Sequence, residues 1–285
     1  MTESKKAKRS WVADVALVCF VFYMYFVVRH FLEPVIMLPT LQMPWLVIAR
    51  TYPLFIFALL HCVYMRGWKN GVAFAALVVV VAWLGEQCST SCGFPFGLYS
   101  YTPQMGWKLG NVPYEIPFDY FSMMVYPGYI FTNLILENKY IARVVDGGQV
   151  FLVSLFTSIM VIAYDAFVDP VDATERGQWL WTHQSDYFGI PYSNYGGYIL
   201  EITIMMLIYH WVIEKRIPAK SLGPVPLWLA LLPIIFFCTA WIDYTFGAGR
   251  GLMFIGFFSV GVPTIIALNS LNRIYRHKHE IEINE

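Results

Sequence analysis

Eight long apolar runs recur along the chain, at roughly 11–31, 43–65, 71–88, 116–136, 149–169, 197–213, 226–246 and 250–270. Each approaches the length of about 20 residues that a helix needs to cross a bilayer. The connections between them are short, with two exceptions near 89–115 and 170–196. Both exceptions are rich in Gly, Pro, Tyr and Trp rather than in Ser or Lys. That composition predicts ordered, partly buried caps or re-entrant segments, not linkers. The expected fold class is therefore an all-α integral membrane protein, a bundle of about eight transmembrane helices with two ordered outer loops. It reads as one polytopic membrane domain over 1–285, with a basic tail at 1–10 and a second tail at 271–285.

Composition strengthens this picture. Hydrophobic residues make up 58% of the chain and charged residues only 13%, with a mean hydropathy of +0.55. A soluble domain of this length does not need so much apolar surface. The formal net charge is zero, so no basic field invites nucleic acid. The first run lacks a small-residue cleavage site before Arg29-His30-Phe31, which predicts a retained span rather than a signal peptide. Five scattered cysteines read mostly as small core hydrophobes, with pairing of Cys88 and Cys92 left open.

Charge sets the expected sidedness. With the N-terminus inside, Lys5, Lys6, Lys8, Arg9, Arg66, Lys69, Lys139, Arg143, Lys215, Arg216, Lys220, Arg273, Arg276 and Lys278 all fall on the inner side. Only Arg29, Arg50, Lys108, Arg176 and Arg250 fall outside. The positive-inside rule then predicts a multi-pass protein of the cell membrane with both termini cytoplasmic. In that topology Glu86, Asp119, Asp165, Asp169, Glu201 and Asp243 lie at one depth, in the outer leaflet. Arg50 and Arg250 are the expected counter-charges. Ionisable groups inside spans are costly and mark functional sites. The competing reading is that each acid only reaches the interface and pairs there.

Three stretches concentrate the polar chemistry. The first is Glu86 followed by GFPFGLYSYT at 93–102, where tight turns are lined by aromatic side chains. The second is VPYEIPFDYFSMMVYP at 112–127, and the third runs from YDAFVDP at 164–170 through GQWLWTHQSDYFGIPYSNYGG at 177–197. Asp165 and Asp169 share one helix face, with Cβ atoms about 5–6 Å apart. Two acids so close in a low dielectric do not both ionise easily, so a carboxylic acid proton is expected between them. Spacing alone leaves a second account open, in which Asp169 caps the helix before Pro170 and Asp165 bonds a neighbouring helix.

Other chemistries find no support. Neither G-x-G-x-x-G nor G-x-x-x-x-G-K-[ST] occurs, nor G-x-S-x-G. No histidine pair stands at metal-ligand spacing at membrane depth, so no cofactor and no metal are expected. Acids, aromatics and a greasy bundle suit a lipid-soluble polyene. A carboxylic acid protonates its terminal double bond, aromatic faces stabilise the cation, and water captures it. The expected acids are Asp165 or Asp169, with Glu86 as partner acid or water-positioning base. Phe96, Tyr99, Tyr101, Trp179, Trp181 and Tyr187 are the expected substrate wall, and Asn194 the holder of the water. A cyclase or isomerase using the same protonation, and a non-enzymatic lipid transporter, remain as rivals.

Glu86 with GFPFGLYSYT, the series of VP, IP and YP, and DP…GQWLW…YFGIPYSNYGG together resemble the membrane-bound carotenoid biosynthesis family, which includes carotenoid 1',2'-hydratases. The likeness covers about residues 83–200, and YFGIPYSN after a Trp-rich segment is its most specific part. It implies cofactor-free addition of water to the ψ-end of an acyclic or monocyclic carotenoid. It also implies a bilayer setting beside other carotenoid-pathway enzymes. One departure is Gly196-Gly197-Tyr198, where the resemblance leads one to expect Gly-Trp after the SN pair.

Overall fold

The computed structural model describes the backbone of residues 10–36, 45–136, 147–247 and 250–284, and their side chains apart from 30–36, 45–49, 241–247, 250–251 and 277–284. Eight helical rods occupy these segments. They are α1 (Trp11–Ile36), α2 (Trp45–Arg66), α3 (Trp68–Cys92), α4 (115–135), α5 (Gly147–Glu175), α6 (Tyr192–Glu214), α7 (Leu227–Gly247) and α8 (250–284). Among the described residues, α1, α3, α5, α6 and α8 carry stretches long and apolar enough to cross a membrane. That is fewer full spans than the eight expected, although each expected run coincides with a helix over nearly all of its described residues. Large apolar side chains such as Val18, Phe22, Val80, Phe151, Ile204 and Phe258 stand exposed along these rods. A belt of that kind is unstable in water and is satisfied by lipid. The chain is a multi-pass membrane protein.

Four rods contain a widened π turn, at Tyr120–Val125 in α4, Pro170–Glu175 in α5, Tyr209–Glu214 in α6 and Phe257–Gly261 in α8. In α5 the cause is visible in the sequence. Pro170 brings no N–H and crowds the carbonyl one turn back, so the helix opens instead of breaking. The rod therefore continues past Asp169 to Glu175, and the expected end near 169 moves outward. The Arg176 N–H closes the wide turn on the Val171 carbonyl at 2.9 Å. At its other end α8 runs on to Asn284, so most of the expected tail at 271–285 is helical. Residues 1–9 lie outside the described residues.

The two long connections are not irregular. Tyr99–Tyr101 forms strand β1, Lys108–Leu109 β2, Val112–Pro113 β3 and Trp179–Trp181 β4. β1 pairs antiparallel with β4, matching Tyr99 with Trp181, Ser100 with Leu180 and Tyr101 with Trp179. Side chains alternate across a strand. Hence the four aromatics share the inner face, while Ser100 and Leu180 point outward and are exposed. The ribbon ties the two loops into one cap. Thr102 reinforces it, its backbone N–H and its hydroxyl both donating to the Gln178 carbonyl, at 2.9 and 3.0 Å.

The opposite end of the bundle is fastened by a buried charge network. Arg66 of α2 donates to Glu214 and Tyr209 of α6, and Asn70 of α3 accepts from Arg66 and from Tyr209. Glu214 also meets His210 Nδ1 at 2.6 Å. Removing one partner from such a pair leaves an uncompensated buried charge. Cys88 and Cys92 are free and exposed.

Candidate active site

A cavity of about 210 Å³ opens beneath the β1–β4 ribbon, between α1, α2, α3, α4, α5 and α6. Of the expected site residues it gathers Glu86, Tyr99, Tyr101, Asp165, Asp169, Trp179, Trp181 and Asn194. Asp119 and Arg50 line it as well. Its remaining walls alternate between apolar helix side chains (Val27, Met123, Met124, Val168) and polar groups on the loop side, Arg176 and Gln178.

Glu86 enters from the last turns of α3 and is almost fully buried. Its Oε2 accepts hydrogen bonds from the Tyr99 and Tyr101 hydroxyls, the latter at 2.6 Å, and its Oε1 accepts one from Tyr120 at 2.6 Å. Three donors converging on one carboxyl group are the arrangement that satisfies an anion in an apolar setting. The ribbon supplies two of them. Burial, and then the charge of Glu86, holds the Tyr99 and Tyr101 phenols well above the ordinary tyrosine range, so both stay donors.

Asp165 and Asp169 project from one face of α5, as their spacing requires, and both are buried. Asn194 stands opposite, in the first turn of α6. Its amide nitrogen donates to Asp165 Oδ2 at 3.0 Å and to Asp169 Oδ2 at 2.9 Å. One NH₂ group thus spans both acids. The amide that the sequence suggests as a water holder is committed to the carboxyl pair. Both acids line the cavity; Asp165 is at the same time bonded to a neighbouring helix through Asn194, and the helix runs on past Asp169 instead of being capped there.

Phe96 and Tyr187 sit outside the cavity lining. Phe96 packs under the Tyr198 ring, with centroids 4.9 Å apart, and its carbonyl accepts from Ser193 at 2.9 Å. Gly197 is what permits this approach. A Cβ there would come within 2.5 Å of the Phe96 ring and 2.9 Å of the Pro95 backbone. Tyr187 lies behind α5, its hydroxyl donating to the Ala166 carbonyl at 2.7 Å. Burial, with the charges of Asp165 and Asp169 adding, pushes its phenol up to about 12, so it remains a donor that pins the loop to the helix.

Other expected acids part company with the site. Glu201 is buried against Gly85 of α3 and outside the cavity, and among the described residues neither of its oxygens has a hydrogen-bond partner. Its expected pairing with Arg50 does not occur; Arg50 lies by Asp119 instead. Asp243 and Arg250 lie outside the residues whose side chains are described. Two site residues were not anticipated. Tyr120 and Tyr198 both line the cavity, with hydroxyls 3.4 Å apart, and Tyr198 stands one helical turn from Asn194, the partner of Asp165. The available signal was position: each is an aromatic one helical step from an acid or a glycine already singled out.

Among the described residues no group of three or more His, Cys, Asp or Glu is arranged to hold a metal ion. The cavity brings carboxyl groups and aromatic rings together.

Residues 43–262 match the model of the family described as carotenoid biosynthesis protein, so the chain belongs to that family. It is also 25% identical, over 196 residues, to the bisanhydrobacterioruberin hydratase of Haloarcula japonica. The aligned region covers 65% of this chain and 63% of that relative, so the match spans somewhat less than two thirds of the relative's length. No solved structure matches.

Proposed function

We propose that this protein is a carotenoid hydratase, which adds water to the terminal ψ-end double bond of an acyclic or monocyclic carotenoid without a cofactor. The observation that carries the reading is the meeting, in one cavity, of a carboxyl pair and a separate carboxylate. Asp165 and Asp169 share a single amide donor, whereas Glu86 is ringed by three phenols. Titratable groups with such different surroundings suit opposite roles in acid–base chemistry. The Asp165/Asp169 pair gives a proton to the alkene carbon. Trp179, Trp181 and Tyr101 present ring faces that stabilise the tertiary cation. Glu86 takes the proton of the attacking water.

The relative's printed name, a hydratase, supports the reaction class. The cavity volume supports entry of one end of a long polyene rather than its whole length, being smaller than the roughly 300–1,000 Å³ of sites for drug-sized ligands. The expected test is expression in a host that makes acyclic carotenoids, with mass analysis of extracted pigment. A mass increase of one water per modified end is expected, unchanged when purified protein is assayed with a chelator and without nucleotides. An isomeric product would mean that the cation loses a proton and that the protein is a cyclase or isomerase. Unchanged pigment would remove the enzymatic reading for these substrates.

We also propose that the ribbon cap faces the outside of the cell membrane, on the strength of the Lys/Arg bias. Reporter fusions after residues 68 and 218 are expected to be cytoplasmic, and fusions near 105 and 180 external. A cytoplasmic signal near 180 would invert the site.

A further inference from the structure

Hydration as proposed above leaves the protein out of balance after each turnover. The carboxyl pair has lost a proton to carbon, and Glu86 has gained one from water. The product carries all the atoms of the added water and the net reaction consumes no proton, so the proton on Glu86 must return to the pair before the next cycle. Three features bear on that return. Glu86 Oε2 already accepts two phenols but Oε1 accepts only Tyr120, so Oε1 keeps a lone pair for the incoming proton. The Tyr120 hydroxyl that touches Oε1 is 3.4 Å from the Tyr198 hydroxyl. Tyr198 lines the same cavity as Asp165 and stands one helical turn from Asn194, the residue bonded to Asp165. Both phenols are buried, and Phe96 supports the Tyr198 ring from below.

We propose that Tyr120 and Tyr198 form a proton relay that resets the enzyme, carrying the proton from Glu86 back to Asp165. The inference rests on the hydratase reading. The transfer balances without any outside acid or base. Glu86 O–H donates to the Tyr120 oxygen, the Tyr120 proton moves to the Tyr198 oxygen, and the Tyr198 proton moves to the Asp165 carboxylate. Each phenol gains one proton and loses one, Glu86 ends as a carboxylate, and Asp165 ends protonated. In the arrangement observed, Tyr120 donates to Glu86, which is the state of a site ready to react. The 3.4 Å contact is long for an O–H···O bond, whose usual span is about 2.5–3.0 Å. It shortens once Tyr120 is released from an ionised Glu86 and turns its proton toward Tyr198.

The relay also accounts for the Gly196-Gly197-Tyr198 sequence. The missing Cβ at Gly197 lets α6 settle on the Phe96 turn, which sets the Tyr198 hydroxyl 3.4 Å from that of Tyr120 at the cavity wall.

The test is Tyr198→Phe, which keeps the ring and removes only the relay oxygen. Purified protein is assayed in detergent with an acyclic carotenoid, once with enzyme in excess and once with substrate in excess. With enzyme in excess, the first hydration is expected to stay within about threefold of wild type, since the Asp pair and Glu86 are intact. With substrate in excess, a burst of about one product per protein is expected, then a steady rate at least about tenfold lower, because proton return now limits turnover. The steady rate should also gain a larger solvent deuterium effect, while the burst does not. Tyr198→Met, which removes the same oxygen with a flexible side chain, should show the same split and serves if Tyr198→Phe does not fold.

A steady rate within twofold of wild type, with no burst, overturns the relay and leaves the hydratase reading standing. Equal losses in both regimes also overturn it, since they would make Tyr198 a purely structural support. Wild-type protein that forms no hydrated product removes the reading and the relay together.

Discussion

Asp165→Asn is expected to lower carotenoid hydration by about 10²–10⁴-fold, the range usual for loss of a general acid. Protonating an alkene carbon demands a positioned acid, because no lone pair helps the transfer. Asn keeps the volume and most of the hydrogen bonding of Asp but has no proton of suitable acidity. The neighbouring geometry makes the pair worth separating experimentally. Asn194 donates to both acids at nearly equal length, so either one can be the donor while its neighbour keeps the amide. If Asp165 is the donor, Asp169→Asn should cost less, since it removes only the repulsion that keeps the proton at hand. Membrane insertion should survive in both, because a neutral amide costs less to bury than a charge. Mass analysis of pigment, normalised to inserted protein, decides the matter. Near-normal turnover in both variants would exclude the pair, and Asp119, which lines the same cavity, would be the next acid to test.

That several of the acids would come together was legible in the sequence, because hydrophobic runs set roughly where each rod begins and ends. Glu86, Asp119, Asp165 and Asp169 do line one cavity, as that reckoning requires. Helical spacing was equally reliable for the Asp pair. Two things escaped. Pro170 reads as a stop, yet here it widens the helix into a π turn that carries the rod on to Glu175. The strands of the cap were hidden by their length. Tyr-Ser-Tyr and Trp-Leu-Trp do alternate, but three residues are too few to outweigh the Gly and Pro around them. Only their mutual pairing, across 78 positions from Tyr101 to Trp179, makes them strands. Partners of a buried acid were harder still. Glu201 looked like one of a ring of paired acids, but the missing side chain at Gly85 leaves it beside α3 backbone instead. Such long-range neighbours are a property of packing, and no local pattern announces them.

Glu86→Gln is expected to be the second severe variant, and to fail for a different reason. The native carboxylate accepts from Tyr99, Tyr101 and Tyr120, all buried with it. A glutamine has one acceptor oxygen and a donor NH₂. With its NH₂ toward the ribbon, Tyr99 and Tyr101 lose their acceptor; with its NH₂ toward Tyr120, that hydroxyl is left only its long 3.4 Å contact with Tyr198. A buried donor left unmade costs about 1–3 kcal/mol. The β1–β4 cap is held over the cavity partly by those two phenols, so its melting should come earlier in detergent, by several degrees for a chain of this size. Activity should fall further than stability predicts, by about 10²-fold or more, because the base that receives the water proton is gone. Glu86→Asp separates the two effects. It restores the anion one methylene short, so it should recover the thermal transition more fully than the rate. Recovery of the rate with Gln itself would show that Glu86 only anchors the ribbon, and water activation would then have to be assigned to another acid of the cavity.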